Sequence, residues 1–188
     1  MVLELSVVVL QCVLFLIALG IVATQGAQLL SLFLNVPLVS TSRTSYGRIE
    51  SALSIRPGDV VYELGSGNGH MLDELSRKYP EARFVGIERN PLLYLYAKLN
   101  ARMHGNPKNL SFRRADFYRT DFSEATRIYA YLLPLTMERL YPRFAERSAP
   151  LRFVSLAFQF KQLPPTERIE LQKRSGSHGE HMLYIYEF

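Results

Sequence analysis

The sequence predicts an α/β domain behind an apolar N-terminal helix, and three observations predict it. From Ser45 onward, short apolar strands alternate with helical stretches, which implies a mostly parallel sheet covered on both faces. A glycine-rich run, Gly65–Gly69, joins the first strand to a helix. Leu5–Thr24 carries no charge and is dominated by Leu, Val, Ile, Phe and Ala.

The N-terminal segment comes first. Twenty helical residues, Leu5–Thr24, span roughly 30 Å, the thickness of a bilayer core. The charge-free run continues to Ser42, with Leu29–Leu34 either extending the helix or lying in the interface, and with breaks expected at Gly26 and Pro37. A secretory signal would begin with a basic region, and Glu4 stands there instead. Residues 1–34 therefore form a candidate single-pass membrane anchor, and 35–188 a separate domain. All 22 basic residues lie after Ser42, together with 16 of the 17 acidic ones, so that part carries a formal +6, 22 minus 16. Arg43, Arg48 and Arg56 follow the span and none precedes it, which places the domain on the cytoplasmic or equivalent inner side. The short connection from Asn35 to Gly47 would keep the domain close to the bilayer. A basic surface suits an anionic lipid face or a nucleic acid and does not choose between them.

The domain elements follow in order. Ser45–Ile55 reads as a helix with Ile49 and Leu53 on one face, and Pro57-Gly58-Asp59 as a turn. Val60–Leu64 is a buried strand, and Met71–Tyr79 a helix ended by Pro80. Arg83–Glu88 is the second strand and Pro91–His104 the next helix, opening on Asn90-Pro91. Leu110–Arg114 and Arg127–Leu132 are the third and fourth strands, the latter followed by a helix from Pro134 to about Arg147. Leu151–Phe160 reads as a long fifth strand. Arg168–Lys173 and His181–Phe188 flank a Ser-Gly-Ser-His-Gly turn as a terminal β-hairpin.

Cys12, the single cysteine, excludes an internal disulfide, and no Cys/His spacing of a metal site occurs. His178 and His181 are three apart, which reads as a polar turn entering a strand rather than a metal site.

The chemistry concentrates at strand ends. Glu63-Leu64-Gly65-Ser66-Gly67-Asn68-Gly69 follows a strand and opens a helix, where glycines allow a tight turn and close approach of a ligand. Glu88 ends the next strand 21 residues after Gly67, where a carboxylate can accept both hydroxyls of a ribose. A dinucleotide fold would place a third glycine where His70 stands, to admit a pyrophosphate. The loop here resembles instead that of enzymes binding S-adenosylmethionine (SAM), a ligand without phosphate. The predicted helix followed by seven strands, the last two a hairpin, is their Rossmann-like sheet. By that resemblance Glu63 lies near the amino-acid portion of SAM, Asp116 accepts the adenine amino group, and Phe117 lies beside the ring. Ser66, Arg89 and Asn90 complete the candidate cofactor set. Tyr131, at the end of the fourth strand, and Pro134, in the turn beyond it, are the candidates for shaping the acceptor channel at the carboxyl ends of the strands.

A narrower resemblance rests on Pro37-Leu38-Val39-Ser40-Thr41, the Val61–Gly69 run, Gly86-Ile87-Glu88-Arg89-Asn90-Pro91, Asp116-Phe117 and Tyr131-Leu132-Leu133-Pro134, in that order. The chain resembles the membrane-anchored protein-lysine N-methyltransferases that act on the adenine nucleotide translocase and on the ATP synthase c subunit. The family loop usually reads Asp-Leu-Gly-Ser-Gly-Asp-Gly-Arg, and Glu63, Asn68 and His70 depart from it. Ser40 departs from the family's Val-Pro-Thr, and Phe158–Lys161 from its Arg-Phe-Pro. The resemblance implies SAM as cofactor, the lipid bilayer as partner, and a lysine of a membrane protein as acceptor. Two alternatives stay open: a small or lipid-like acceptor, and a non-catalytic SAM-binding membrane protein. Nucleic-acid methylation fits least, because an Asn/Asp-Pro-Pro-aromatic turn after the fourth strand is replaced by Leu-Leu-Pro. No residue stands out as a catalytic base, which agrees with an amine that loses its proton to water first.

Overall fold

A computed structural model describes the backbone of residues 2–33, 41–171 and 182–188, and the side chains of 10–26 and of the two later segments. The residues Pro37–Ser40, the Ser-Gly-Ser-His-Gly turn, His178 and His181 lie outside them. Two compact units result, Met1–Leu38 and Val39–Phe188.

The described part of the first unit is one helix, α1 (Val2–Phe33), so Gly26 does not break it. A helical glycine costs only about 1 kcal/mol and keeps its N–H donor, unlike proline. Leu14, Phe15, Leu16 and Val22 are all more than half exposed. Among the described residues no helix is long and apolar enough to cross a membrane.

The second unit opens with a 3-10 turn (Arg43–Ser45) and α2 (Tyr46–Leu53). The alternating part follows as β1 (Val60–Leu64), α3 (His70–Lys78), β2 (Arg83–Glu88), α4 (Pro91–Met103), β3 (Leu110–Arg114), β4 (Arg127–Ala130), α5 (Pro134–Ala145) and β5 (Arg152–Leu156). β6 (Glu167–Glu170) and β7 (Met182–Glu187) close the chain. The sheet order is β3-β2-β1-β4-β5-β7-β6. β1 to β5 run parallel, while β7 pairs antiparallel with both β5 and β6. The connections leave β1 in one direction and reach β4 in the other, so the switch point of the sheet lies between β1 and β4.

Alternate residues of each strand feed two cores. Val61, Phe84, Tyr129 and Val154 pack with Ile49 and Leu53 of α2 and Met71, Leu72 and Leu75 of α3. Tyr62, Val85, Ile128 and Phe153 pack with Met137, Leu140 and Phe144 of α5. The last turn of α2 exposes carbonyls that two arginines satisfy: Arg127 Nε donates to Leu53 O at 3.0 Å and Arg152 Nε to Ala52 O at 2.6 Å.

Two strands of the parallel part are shorter than the sequence suggests, and β6 ends at Glu170 rather than Lys173. The fourth stops at Ala130 rather than Leu132. The fifth stops at Leu156 rather than Phe160, because Ala157 takes a left-handed φ of 68° and Phe158 N–H turns back to Leu156 O. Ser155 Oγ donates to Phe158 O and holds the turn. The apolar run to Phe160 continues for another reason: Phe160 folds back into the core, its N–H donating to Tyr186 Oη at 3.0 Å.

Candidate functional site

Every candidate residue read from the sequence, apart from Pro134 in the first turn of α5, stands at the carboxyl end of β1, β2, β3 or β4 or in the loop that follows. β1 ends at Leu64, in register with Ile87 of β2 and Ala130 of β4. The backbone N–H groups of Gly65 and Ser66 both donate to Ile87 O, at 2.9 and 3.0 Å, and hook the glycine loop over the end of β2. Gly69 takes φ 73°, and a Cβ there would lie 2.5 Å from Phe112 and 2.9 Å from Ala97. Only glycine fits both the backbone and the space.

Glu88 is the buried centre of the loop. Its Oε2 accepts from Gly67 N–H at 2.8 Å and its Oε1 from Asn90 N–H at 2.7 Å. Burial raises its pKa, and these backbone donors pull it back part of the way. Asn90 caps α4: its Oδ1 accepts from Leu92 and Leu93 N–H. Arg89 between them is exposed.

Glu63 is the opposite case. It is 7% exposed, and its Oε2 meets no hydrogen-bond partner among the described residues. Burial, and secondarily the Glu88 carboxylate, push its pKa well above the usual value, which favours a neutral acid. Ser66 Oγ, also buried, likewise meets no partner among the described residues. Gly86, absent from the candidate set, admits this crowding: a Cβ on it would meet Ser66 Oγ at 2.7 Å and Phe112 at 2.5 Å. Its place before Ile87-Glu88 in an otherwise apolar strand was the signal in the sequence.

Asp116 follows β3 and turns the chain, its Oδ1 accepting from Tyr118 N–H at 2.9 Å. Phe117 is buried and packs on Tyr118 with centroids 4.8 Å apart. Arg143 of α5 donates to the carbonyls of Phe117, Tyr118 and Thr120 and so fixes this loop.

Past β4, Tyr131 stacks on Phe158 at 6.4 Å and 25°. The left-handed turn at Ala157 is what swings Phe158 off the sheet line to meet it. Leu132 lies 3.6 Å from the Cβ position of Gly65, so the β4 end abuts the glycine loop. Pro134 opens α5 in its first turn, where a missing N–H costs nothing.

Two further residues, Arg43 and Tyr46, act on this region from outside the sequence motifs. Burial and the Glu63 carboxylate raise the Tyr46 pKa. Burial and Arg43 lower that of His70, whose ring meets Tyr96 edge-on at 6.0 Å. Their signal, an aromatic and a cation before β1, was too generic to read.

Two buried polar atoms without partners beside a glycine loop suit a small ligand with polar and cationic ends. Such a loop, on a parallel sheet closed by antiparallel strands, defines a SAM-dependent methyltransferase. A family model for the ANTKMT methyltransferase domain matches residues 63–167, and the chain belongs to that family. A protein-lysine N-methyltransferase of Saccharolobus islandicus is 28% identical over 153 residues, 81% of this chain and 93% of the relative. The mouse adenine nucleotide translocase lysine N-methyltransferase is 29% identical over 142 residues, 74% of this chain and 61% of the relative. Among solved structures, an RNA methyltransferase of Salinibacter ruber in complex with S-adenosyl-L-homocysteine superposes with a TM-score of 0.70 at 31% identity, covering 79% of this chain and 93% of that one. The chain is an enzyme of this class, with SAM as its cofactor.

Proposed function

We propose that this enzyme is held at a membrane by its N-terminal segment and methylates a lysine side chain of a membrane protein. The observation that carries the amine acceptor is the aromatic pair Tyr131–Phe158 at the end of β4, beside the glycine loop. Two relatives named for lysine N-methylation support it.

The residues present fit the cofactor. Glu63 and Ser66, with polar atoms buried and unpartnered, would receive its cationic amino-acid end. A cation there favours the carboxylate form of Glu63 that burial otherwise opposes. Glu88 would accept the ribose hydroxyls while it keeps Gly67 and Asn90 in place. Arg89 lies at the rim, and Gly65, Gly67 and Gly69 leave the backbone bare. Asp116 and Phe117 would flank the adenine. Bound SAM supplies an electrophilic methyl group on a sulfonium, open to in-line attack.

The chain's part is alignment and desolvation. A lysine ammonium, with a free pKa of about 10.4, must become neutral before it attacks. The faces of Tyr131 and Phe158 would draw in and orient the ammonium, which favours its charge; desolvation in the channel acts the other way and lets the proton pass to water. Pro134 fixes the turn into α5 that bounds this channel.

The charge-free run Leu5–Thr24 within α1 supports the tether, and the basic residues that begin at Arg43 support a catalytic domain on the inner side. A second reading, an RNA acceptor, is favoured by the Salinibacter ruber relative.

The test incubates the full-length protein with methyl-labelled SAM and native membranes, then separates protein, lipid and RNA. Label is expected in protein, recovered as methyl-lysine. Tyr131→Ala should lower transfer about tenfold, the scale of one lost cation–π contact, and leave S-adenosylhomocysteine affinity unchanged. Label only in RNA or only in lipid would overturn the lysine reading.

A further inference from the structure

α4 carries its large apolar side chains on the outside. Ala97, Asn100 and Ala101 are buried against the sheet, whereas Leu92, Leu95, Tyr96, Leu99 and Met103 stand between 47% and 66% exposed. Their spacing puts these five on one stripe of the helix. The inversion has a local cause. The Ala97 methyl and the Phe112 ring already crowd Gly69, so the inner face has room only for small residues. Nothing about that inner packing requires four large aliphatic side chains and a tyrosine in water on the other face. Stripes of this kind on a folded domain mark contact surfaces.

Charge selects the contact. α4 has two ionisable cations, Lys98 and Arg102, and no acidic residue, and Arg89 precedes it and Lys108 follows. Arg89, Arg102 and Lys108 are exposed, and Lys98 stands over the Tyr94 ring at 5.4 Å. Leucines and a tyrosine along one face with flanking cations are the composition of a helix lying in the interface of an anionic bilayer. A second copy of the same face would bring like charges together.

We propose that α4 docks on the surface of an anionic lipid bilayer, with Leu95 and Leu99 entering the headgroup region. This goes beyond the N-terminal tether and does not depend on it, because it stands on α4 alone.

The test uses the full-length chain with Cys12→Ser and one new cysteine carrying an environment-sensitive fluorophore. The positions are Leu95→Cys and Leu99→Cys on α4, Glu74→Cys as a control in water, and Leu14→Cys on α1. Each protein is reconstituted into phosphatidylcholine vesicles with and without phosphatidylserine. Probes at 95 and 99 should shift to the blue only with phosphatidylserine, and lipid-borne quenchers should quench them several-fold more than the probe at 74. Probes at 95 and 99 that stay as water-exposed as the one at 74 overturn the docking of α4, whatever the probe at 14 reports. A blue shift independent of anionic lipid, or seen only when a membrane protein is added, overturns it too. The probe at 14 reads the tether separately. Leu95→Glu with Leu99→Glu should cut binding of the α4 face to anionic vesicles about tenfold or more while S-adenosylhomocysteine affinity holds, which shows that the variant is folded.

Discussion

The central strand begins beside one buried carboxylate and ends beside another, and the two are treated in opposite ways. Asp59, 8% exposed just before β1, is fully engaged. Its Oδ2 accepts from Arg56 N–H at 2.7 Å and faces the Arg127 guanidinium at 3.4 Å, and its Oδ1 accepts from Thr126 Oγ1 at 2.7 Å. Thr126 Oγ1 in turn accepts from Val60 N–H at 2.9 Å, so the network ties β1 to the start of β4. Glu63, near the other end of β1, is equally buried, yet one of its oxygens has no partner among the described residues. Burying a polar group without a partner costs stability, and a fold retains it where a ligand completes the site. On the proposed reading, one end of the sheet serves stability and the other binding.

Three substitutions sharpen that contrast. The largest effect should come from Asp59→Ala. It leaves the half-buried Arg127 without its carboxylate and Thr126 and the Arg56 N–H without their acceptor, and should cost about 3 kcal/mol of unfolding free energy in a denaturant titration while cofactor affinity of the folded protein holds. Loss of affinity without loss of stability would reverse the roles assigned to the two ends. Glu88→Ala comes next, and should weaken S-adenosylhomocysteine by about 2 kcal/mol in calorimetry, the scale of hydrogen bonds to a charged group. Unchanged affinity would remove Glu88 from the cofactor site.

The smallest effect is a pH dependence. The folded pKa of Glu63 is raised above its unfolded value, so its neutral form suits the fold and its charged form does not. Its contribution is fully present below the unfolded value and is lost as pH rises through the folded one. Glu63→Gln, always neutral, should therefore melt with the wild type near pH 4 and a few degrees above it at pH 8, without cofactor. A gap that closes as pH rises would contradict the burial argument.

Much of this was legible in the chain. β1, β2 and β3 begin and end where the sequence places them, because Pro57-Gly58-Asp59, the glycine loop and Asn90-Pro91 are local stops. The end of β5 was not legible: apolar residues run on to Phe160, and the turn at Ala157 depends on a left-handed backbone that alanine rarely adopts. The basic balance also misleads if read only as surface. Arg127, Arg143, Arg147 and Arg152 spend their donors on backbone carbonyls of α2 and of the loop between β3 and β4.

The sequence by itself determined the class of site. The glycine spacing, Glu88 one strand later and Asp116 after β3 are each set by a strand end and the turn beside it, and turn chemistry is local. Tertiary structure alone decided which of these groups is left unpartnered. Glu63 and Glu88 are the same residue type at neighbouring strand ends, and only the approach of the Gly67 and Asn90 N–H groups to one of them separates their roles. It also decided that Phe158 meets Tyr131, and that α4 turns its alanines inward, since Phe112 and Gly69 leave no room for leucine. Such choices are made by close packing between segments far apart in the chain, which no local pattern records.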